Sequence, residues 1–196
     1  MATKKTKVID KWKLKKWYSV IAPPMFDNRE FCEIVASDES SLPNRVIKTK
    51  LSSFISSSSQ FALFCTLLFR VTEVKGNQVF TKLIGHEIAP IYISSLARRG
   101  KDVINVVVDV VTKDNEEVRV KVVGITAGKI SENTARSLRA ALADEIKKSA
   151  ATASFDEFMS DILYGKLVTR LFNKVKQITT MKRIEIRKTE RKERFT

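Results

Sequence analysis

Residues 103–126 read VINVVVDVVTKDNEEVRVKVVGIT. Valine and isoleucine crowd residues 103–112 and return in 117–126. β-Branched side chains suit a pleated strand better than a helix. Asp114 and Asn115, between the two runs, are turn formers. The stretch therefore reads as a β-hairpin. A second hairpin precedes it. Residues 61–75 are rich in Phe, Leu and Val, residues 78–86 follow, and Gly76-Asn77 between them tolerates positive φ.

Towards the N-terminus, residues 17–22 (WYSVIA) form a short strand that Pro23-Pro24 stops. Residues 31–36 read as another strand and 37–44 as a polar loop. Residues 45–51 alternate Val46, Lys48 and Lys50 against Ile47, Thr49 and Leu51, the period of a strand. The serine-rich segment 52–59 reads as a loop anchored by Phe54 and Ile55.

Towards the C-terminus, Pro90 can open a helix and Gly100 can end it. From Ser131 the period becomes helical: Ala135, Leu138, Ala141, Leu142 and Ile146 share a face. Ser154 and Glu157 make a capping box ahead of Phe155, Phe158, Met159, Ile162 and Leu163. Gly165 interrupts the chain, and Leu167, Val168, Leu171, Phe172 and Val175 form a further core stripe. Ile184 and Ile186 then alternate with charged residues in a last strand.

Strands come mainly first and helices mainly last, which predicts an α+β fold. The expected form is an antiparallel sheet or barrel-like body with C-terminal helices packed beside it and basic terminal extensions. The expected organisation is a basic arm over 1–16, one globular domain over 17–188 and a basic tail over 189–196. Within the domain, 17–126 is mainly strand, 131–180 mainly helix and 182–188 the last strand.

The chain has 196 residues and a formal net charge of +14. Residues 1–20 carry +6 and residues 181–196 carry +4, so the ends supply ten of the fourteen excess charges. Such a field attracts polyanions. An apolar fraction of 43% is enough to build a core. No apolar run reaches the roughly 18 residues of a membrane span, and no apolar signal segment follows the N-terminal lysines. Cys32 and Cys65 are read as reduced packing residues of an intracellular protein.

Catalytic and metal chemistry find little support. His86 is the one histidine, and two distant cysteines cannot complete a four-ligand zinc site with it. A structural or RNA-contacting role suits His86 better than general base. Residues 124–129 (GITAGK) miss the phosphate-loop pattern, with three residues between the glycines and Ile130 after the lysine. Asp102, Asp109 and Asp114 are not spaced to converge as catalytic carboxylates. No enzyme activity, cofactor or metal is expected.

Binding features are stronger. Trp12 is interleaved with Lys11, Lys13, Lys15 and Lys16. Aromatic rings can stack on unpaired bases while lysines meet phosphates. Trp17 and Tyr18 are assigned instead to the start of the core. Arg98, Arg99 and Lys101 cluster beside Gly100, and Arg183, Arg187, Lys188, Arg191 and Arg194 recur near the C-terminus. These thirteen residues, Lys11 to Arg194, are the candidate RNA-binding set.

Four segments resemble one family in order. Residues 15–26 (KKWYSVIAPPMF), 80–100 (FTKLIGHEIAPIYISSLARRG), 108–122 (VDVVTKDNEEVRVKV) and 154–188 are similar to the eukaryotic- and archaeal-type small-subunit ribosomal protein S-one family, also called S-three-A. The short length resembles the archaeal branch. The resemblance implies a non-catalytic, cytoplasmic constituent of the small subunit. It implies rRNA binding on the platform near the mRNA exit region and contacts with neighbouring platform proteins; contact with mRNA near the exit region is a further expectation, and no membrane and no homo-oligomer are expected. One departure is residues 124–135 (GITAGKISENTA), which offer only Lys129 where the family often carries a strongly basic stretch. The rival reading of the same charge is a free-standing RNA-binding regulator or RNA chaperone.

Overall fold

A computed structural model describes residues 12–55 and 60–193. The chain divides into two compact units, residues 1–47 with 69–83, and residues 48–68 with 84–196.

The first unit contains β1 (Lys16–Ile21), β2 (Glu30–Ala36) and the greater part of the β4–β5 hairpin (β4, Cys65–Lys75; β5, Gln78–Ile88). β3 (Val46–Lys50) begins in this unit. β1 pairs antiparallel with β2 and parallel with β5, Ser19 opposite Gln78 and Ile21 opposite Phe80. Gly76 takes φ +60° at the hairpin tip, as the Gly-Asn turn requires. Tyr18, Val20, Ala36, Leu42, Ile47, Val71 and Val79 form the core. The aromatic ring of Phe69 packs 5.8 Å from Phe26, edge to face, and 5.0 Å from Phe31. Strand parity corrects one expectation. Because Tyr18 and Val20 point inward, Trp17 points out and is 58% exposed, so it does not begin the core.

The second unit contains α1 (Gln60–Phe64), α2 (Pro90–Leu96), β6 (Val103–Val111), β7 (Glu117–Thr126), α3 (Glu132–Thr152), α4 (Phe155–Leu163), α5 (Lys166–Lys176) and β8 (Met181–Arg191). The hairpin expected over residues 103–126 is present: β6 alternates exposed and buried residues without a break. Ile104, Val106, Val108 and Val110 face inward with Val118, Val120 and Val122 of β7. α3 covers that face through Leu138, Leu142 and Ile146, all fully buried. Each such side chain removed from water contributes about 2 kcal/mol. On the outer face Arg119 donates to both carboxylate oxygens of Asp109 directly across the strands, at 2.7 and 2.9 Å.

Among the described residues eight strands pair, mostly antiparallel, in the hydrogen-bonded order β2-β1-β5-β8-β7-β6, with β4 also on β5 and β3 on β4. The expected α+β class with C-terminal helices is therefore present. Residues 61–64 depart from expectation by forming α1 instead of strand. The run is apolar throughout and carries no alternation. Ala62 and Cys65, three apart, are both buried while Leu63 and Phe64 are exposed, which is a helical spacing. Phe64 then stacks on Tyr92, ring centroids 5.0 Å apart.

Candidate nucleic-acid interface

The second unit assembles a cationic site from segments far apart in sequence. α2 ends at Leu96, and residues 97–101 turn back to β6, with Gly100 at φ +81° and the Lys101 amide donating to the Arg98 carbonyl at 3.3 Å. Asp102 fixes the base of this loop. Its amide donates to Thr126 Oγ1 at 2.9 Å, its carbonyl accepts from the Thr126 amide at 3.1 Å, and its carboxylate accepts from the Ile130 amide at 2.8 Å. Beyond Thr126, the Ala127 amide donates to the Thr180 carbonyl, which brings the start of β8 alongside.

Here the ladder slips. Ile125 pairs with Arg183 and Thr126 with Met181, so Lys182 is the extra residue of a bulge. Bulges re-aim side chains. The exposed Lys182 ammonium lies near enough to Lys101 for its charge to act on it. Lys182, then partial desolvation, then the field of Arg98, holds the Lys101 ammonium below the usual lysine range. Among the described residues no carboxylate forms an ion pair with Arg98, Arg99, Lys101 or Lys182. Like charges held this close repel, and an anion between them converts the repulsion into attraction.

A second slip in β8 has the same consequence. Lys121 pairs with Lys188 and Val122 with Ile186, which leaves Arg187 as the extra, exposed residue. Both bulges of the strand thus present a cation.

The other candidates are placed differently. Arg183 Nε donates to Glu185 at 2.8 Å, and its guanidinium lies 5.8 Å from the Tyr92 ring centroid. Lys188 pairs with Glu190 at 2.6 Å and Glu87 at 3.7 Å. Arg191 pairs with Glu116 and lies over the Phe155 ring at 5.0 Å. These three cations already have carboxylate partners. Trp12, Lys13, Lys15 and Lys16 belong to the first unit and are exposed; Lys15 Nζ sits 4.1 Å from the Trp12 ring centroid. Lys11 and Arg194 lie outside the described residues.

Nothing catalytic assembles among the described residues. Asp102 holds the Ile130 amide, Asp109 holds Arg119, and Asp114 accepts from the Phe155 amide at 3.0 Å. No cluster of three metal-ligating side chains occurs among them, and no helix of the described residues is long and apolar enough to cross a membrane.

Comparison with known proteins shows the family. The profile of the Ribosomal S3Ae family matches residues 3–194. This chain belongs to the Ribosomal S3Ae family. Its relatives include the small ribosomal subunit protein eS1 of Saccharolobus islandicus strain L.S.2.15, 33% identical over 96% of this chain and 90% of that protein. The eS1 protein of Sulfurisphaera tokodaii is 34% identical over 94% of this chain and 95% of that protein. That of Saccharolobus solfataricus is 33% identical over 96% and 90%. The likeness is to archaeal S3Ae proteins, which are structural and not enzymatic.

In this S3Ae chain the sequence-based set omits Lys182. Its charge is visible, but nothing local distinguishes it from its neighbours. Only the bulge opposite Ile125 and Thr126, and the return of the 97–101 loop, single it out.

Proposed function

We propose that this protein is a structural constituent of the cytoplasmic small ribosomal subunit. In this reading it binds rRNA on the platform near the mRNA exit region, beside neighbouring platform proteins, and supports translation without catalysing a reaction. The observation that carries the RNA-binding part is the meeting of Arg98, Lys101 and Lys182 without a carboxylate partner among the described residues. Each phosphate so neutralised releases counterions, and that release drives binding. Contacts of this kind fix register on the RNA backbone and carry no sequence information by themselves. The exposed Trp12, with Lys15 over its ring, supports a second contact of stacking type in the first unit.

Sucrose-gradient fractionation of native lysate at low and moderate salt tests the reading. The expected outcome is stoichiometric co-sedimentation with the small subunit that persists at moderate salt. Recovery only in the light fractions would replace the ribosomal reading with a free-standing RNA-binding regulator. Crosslinking of assembled subunits then tests the platform position: crosslinks confined to another region would overturn it.

A further inference from the structure

Two adjoining cavities lie where α4 and α5 meet β8 in the second unit. The smaller, about 190 Å³, is lined by Phe61, Ile162, Tyr164, Val168 and Glu185 among others. The larger, about 400 Å³, shares Val168 and Glu185 and adds Phe172, Lys182 and Arg183. The α5 stripe therefore splits. Leu167, Leu171 and Val175 are fully buried, while Val168 and Phe172 line open space. Tyr164, at 62% exposure, contributes a ring to the smaller cavity.

Among the described residues on these walls, the one acidic group is unusual. Glu185 is only 6% exposed. Tyr92 Oη donates to its Oε1 at 3.2 Å, and Arg183 Nε donates to the same oxygen at 2.8 Å. Among the described residues, none hydrogen-bonds to Oε2. That second oxygen is open to solvent at the cavity wall and is able to accept. Whatever fills the cavity gains by bringing an N–H group to it. The remaining surface of the smaller cavity is mainly apolar and aromatic, which suits a flat ring.

The cations decide what carries that ring. Lys182 and Arg183 line the larger cavity, and Lys182 also belongs to the cluster with Lys101 and Arg98. A polyanion following that cluster passes the cavity mouth. We propose that the two cavities receive one unpaired nucleotide of bound RNA, its base in the smaller cavity against Glu185 Oε2 and its phosphate at Lys182. This rests on the RNA-binding reading above and adds base selectivity to it. A carboxylate oxygen accepts from an amino-bearing base edge. Guanine presents N1–H and its amino group side by side. Uracil presents one N–H flanked by two carbonyl oxygens that the carboxylate repels. The site therefore prefers guanine and disfavours uracil.

The test is fluorescence anisotropy of the full chain with labelled heptanucleotides at fixed salt, one all-uridine and one with a single central guanosine. The guanosine oligomer is expected to bind about tenfold more tightly, within the range of one good base contact. Glu185→Gln is expected to bring the ratio to one or below, because the amide donates to uracil carbonyls. That change also unseats Arg183, so Val168→Trp, which fills the cavity and leaves the carboxylate pair intact, serves as the second variant. It too should abolish the preference, with circular dichroism unchanged. Equal affinity of the wild type for both oligomers would overturn the pocket and leave the cavity to a side chain of a neighbouring protein. A preference that survives Val168→Trp would overturn it as well. Failure to bind either oligomer would remove the pocket; only absence from the small-subunit fractions would remove the ribosomal reading with it.

Discussion

His86 and Thr189 are locked together across β5 and β8. Thr189 Oγ1 lies 2.8 Å from His86 Nδ1 and accepts from the His86 amide at 3.1 Å. On the other side of the ring Nε2 lies 2.9 Å from the Ile186 carbonyl, which can only accept. Nε2 therefore carries the proton and Nδ1 accepts from the threonine hydroxyl. The residue is fully buried, and Phe61 lies edge-on to it at 6.3 Å. The one histidine of the chain is a satisfied structural group and not a general base.

That burial makes stability depend on pH. Desolvation lowers the His86 pKa to about 4, against the smaller opposing effect of the Ile186 hydrogen bond. The unfolded chain binds the proton near pH 6.5 and the folded chain does not. The contribution is thus complete above pH 6.5 and is lost as pH falls towards 4, to a total of about 3 kcal/mol. Urea unfolding between pH 7 and 4.5 should show this loss, and His86→Gln should flatten it. An equal loss in the variant would assign the acid sensitivity to carboxylates.

Gly85 makes the β5–β8 contact possible. A Cβ at this position would lie 2.0 Å from the Thr189 carbonyl oxygen, a backbone atom that cannot swing aside. Gly85→Ala should force the strands apart and cost about 3 kcal/mol or more. Thermal melting measures it; a Tm shift within a degree or two of wild type would contradict the close approach.

Ser154 and Glu157 satisfy one another's backbone amides at the start of α4, at 3.4 and 3.1 Å. Ser154→Ala should lower unfolding stability by about 1 kcal/mol, with no change in RNA affinity. Equilibrium denaturation and an RNA titration on the same sample check both halves.

Lys101 and Lys182 should act as phosphate contacts. Neutralising both, as Lys101→Gln with Lys182→Gln, is expected to weaken RNA binding. It should also reduce the slope of log K against log salt by about 0.7 to 0.9 for each contact removed. An unchanged slope would mean that the pair does not touch phosphate. Relief of their mutual repulsion should leave the folded protein as stable as wild type, or slightly more so.

The thiols should differ in reactivity. Burial first, and then the nearby Glu185 carboxylate, raises the Cys65 pKa to about 12; burial alone raises that of Cys32, which is only partly covered. Maleimide labelling of the native protein at pH 7.5 should modify Cys32 slowly and Cys65 only after unfolding. Prompt labelling of both would show that the α1–β4 junction opens.

Local chemistry was enough for much of the fold. The alternation of β6, the Gly76 turn, the Ser154 capping box and the helical period from Ser131 are each written within a dozen neighbouring residues. So is the excess of charge at the two ends. These features depend on backbone sterics and side-chain periodicity, which act over one or two turns. The short helix α1 escaped because an unbroken apolar run has no period to read.

The candidate site is another matter. Lys101 and Lys182 stand 81 positions apart, and their meeting depends on a bulge in β8 that no local pattern marks. The same is true of Val168 and Phe172, whose spacing is that of a core stripe although both border a cavity. A sequence fixes which face of an element is apolar, because that follows from its own period. Which element covers that face, and which cations are driven together at its rim, depends on strand register and on packing across the whole unit.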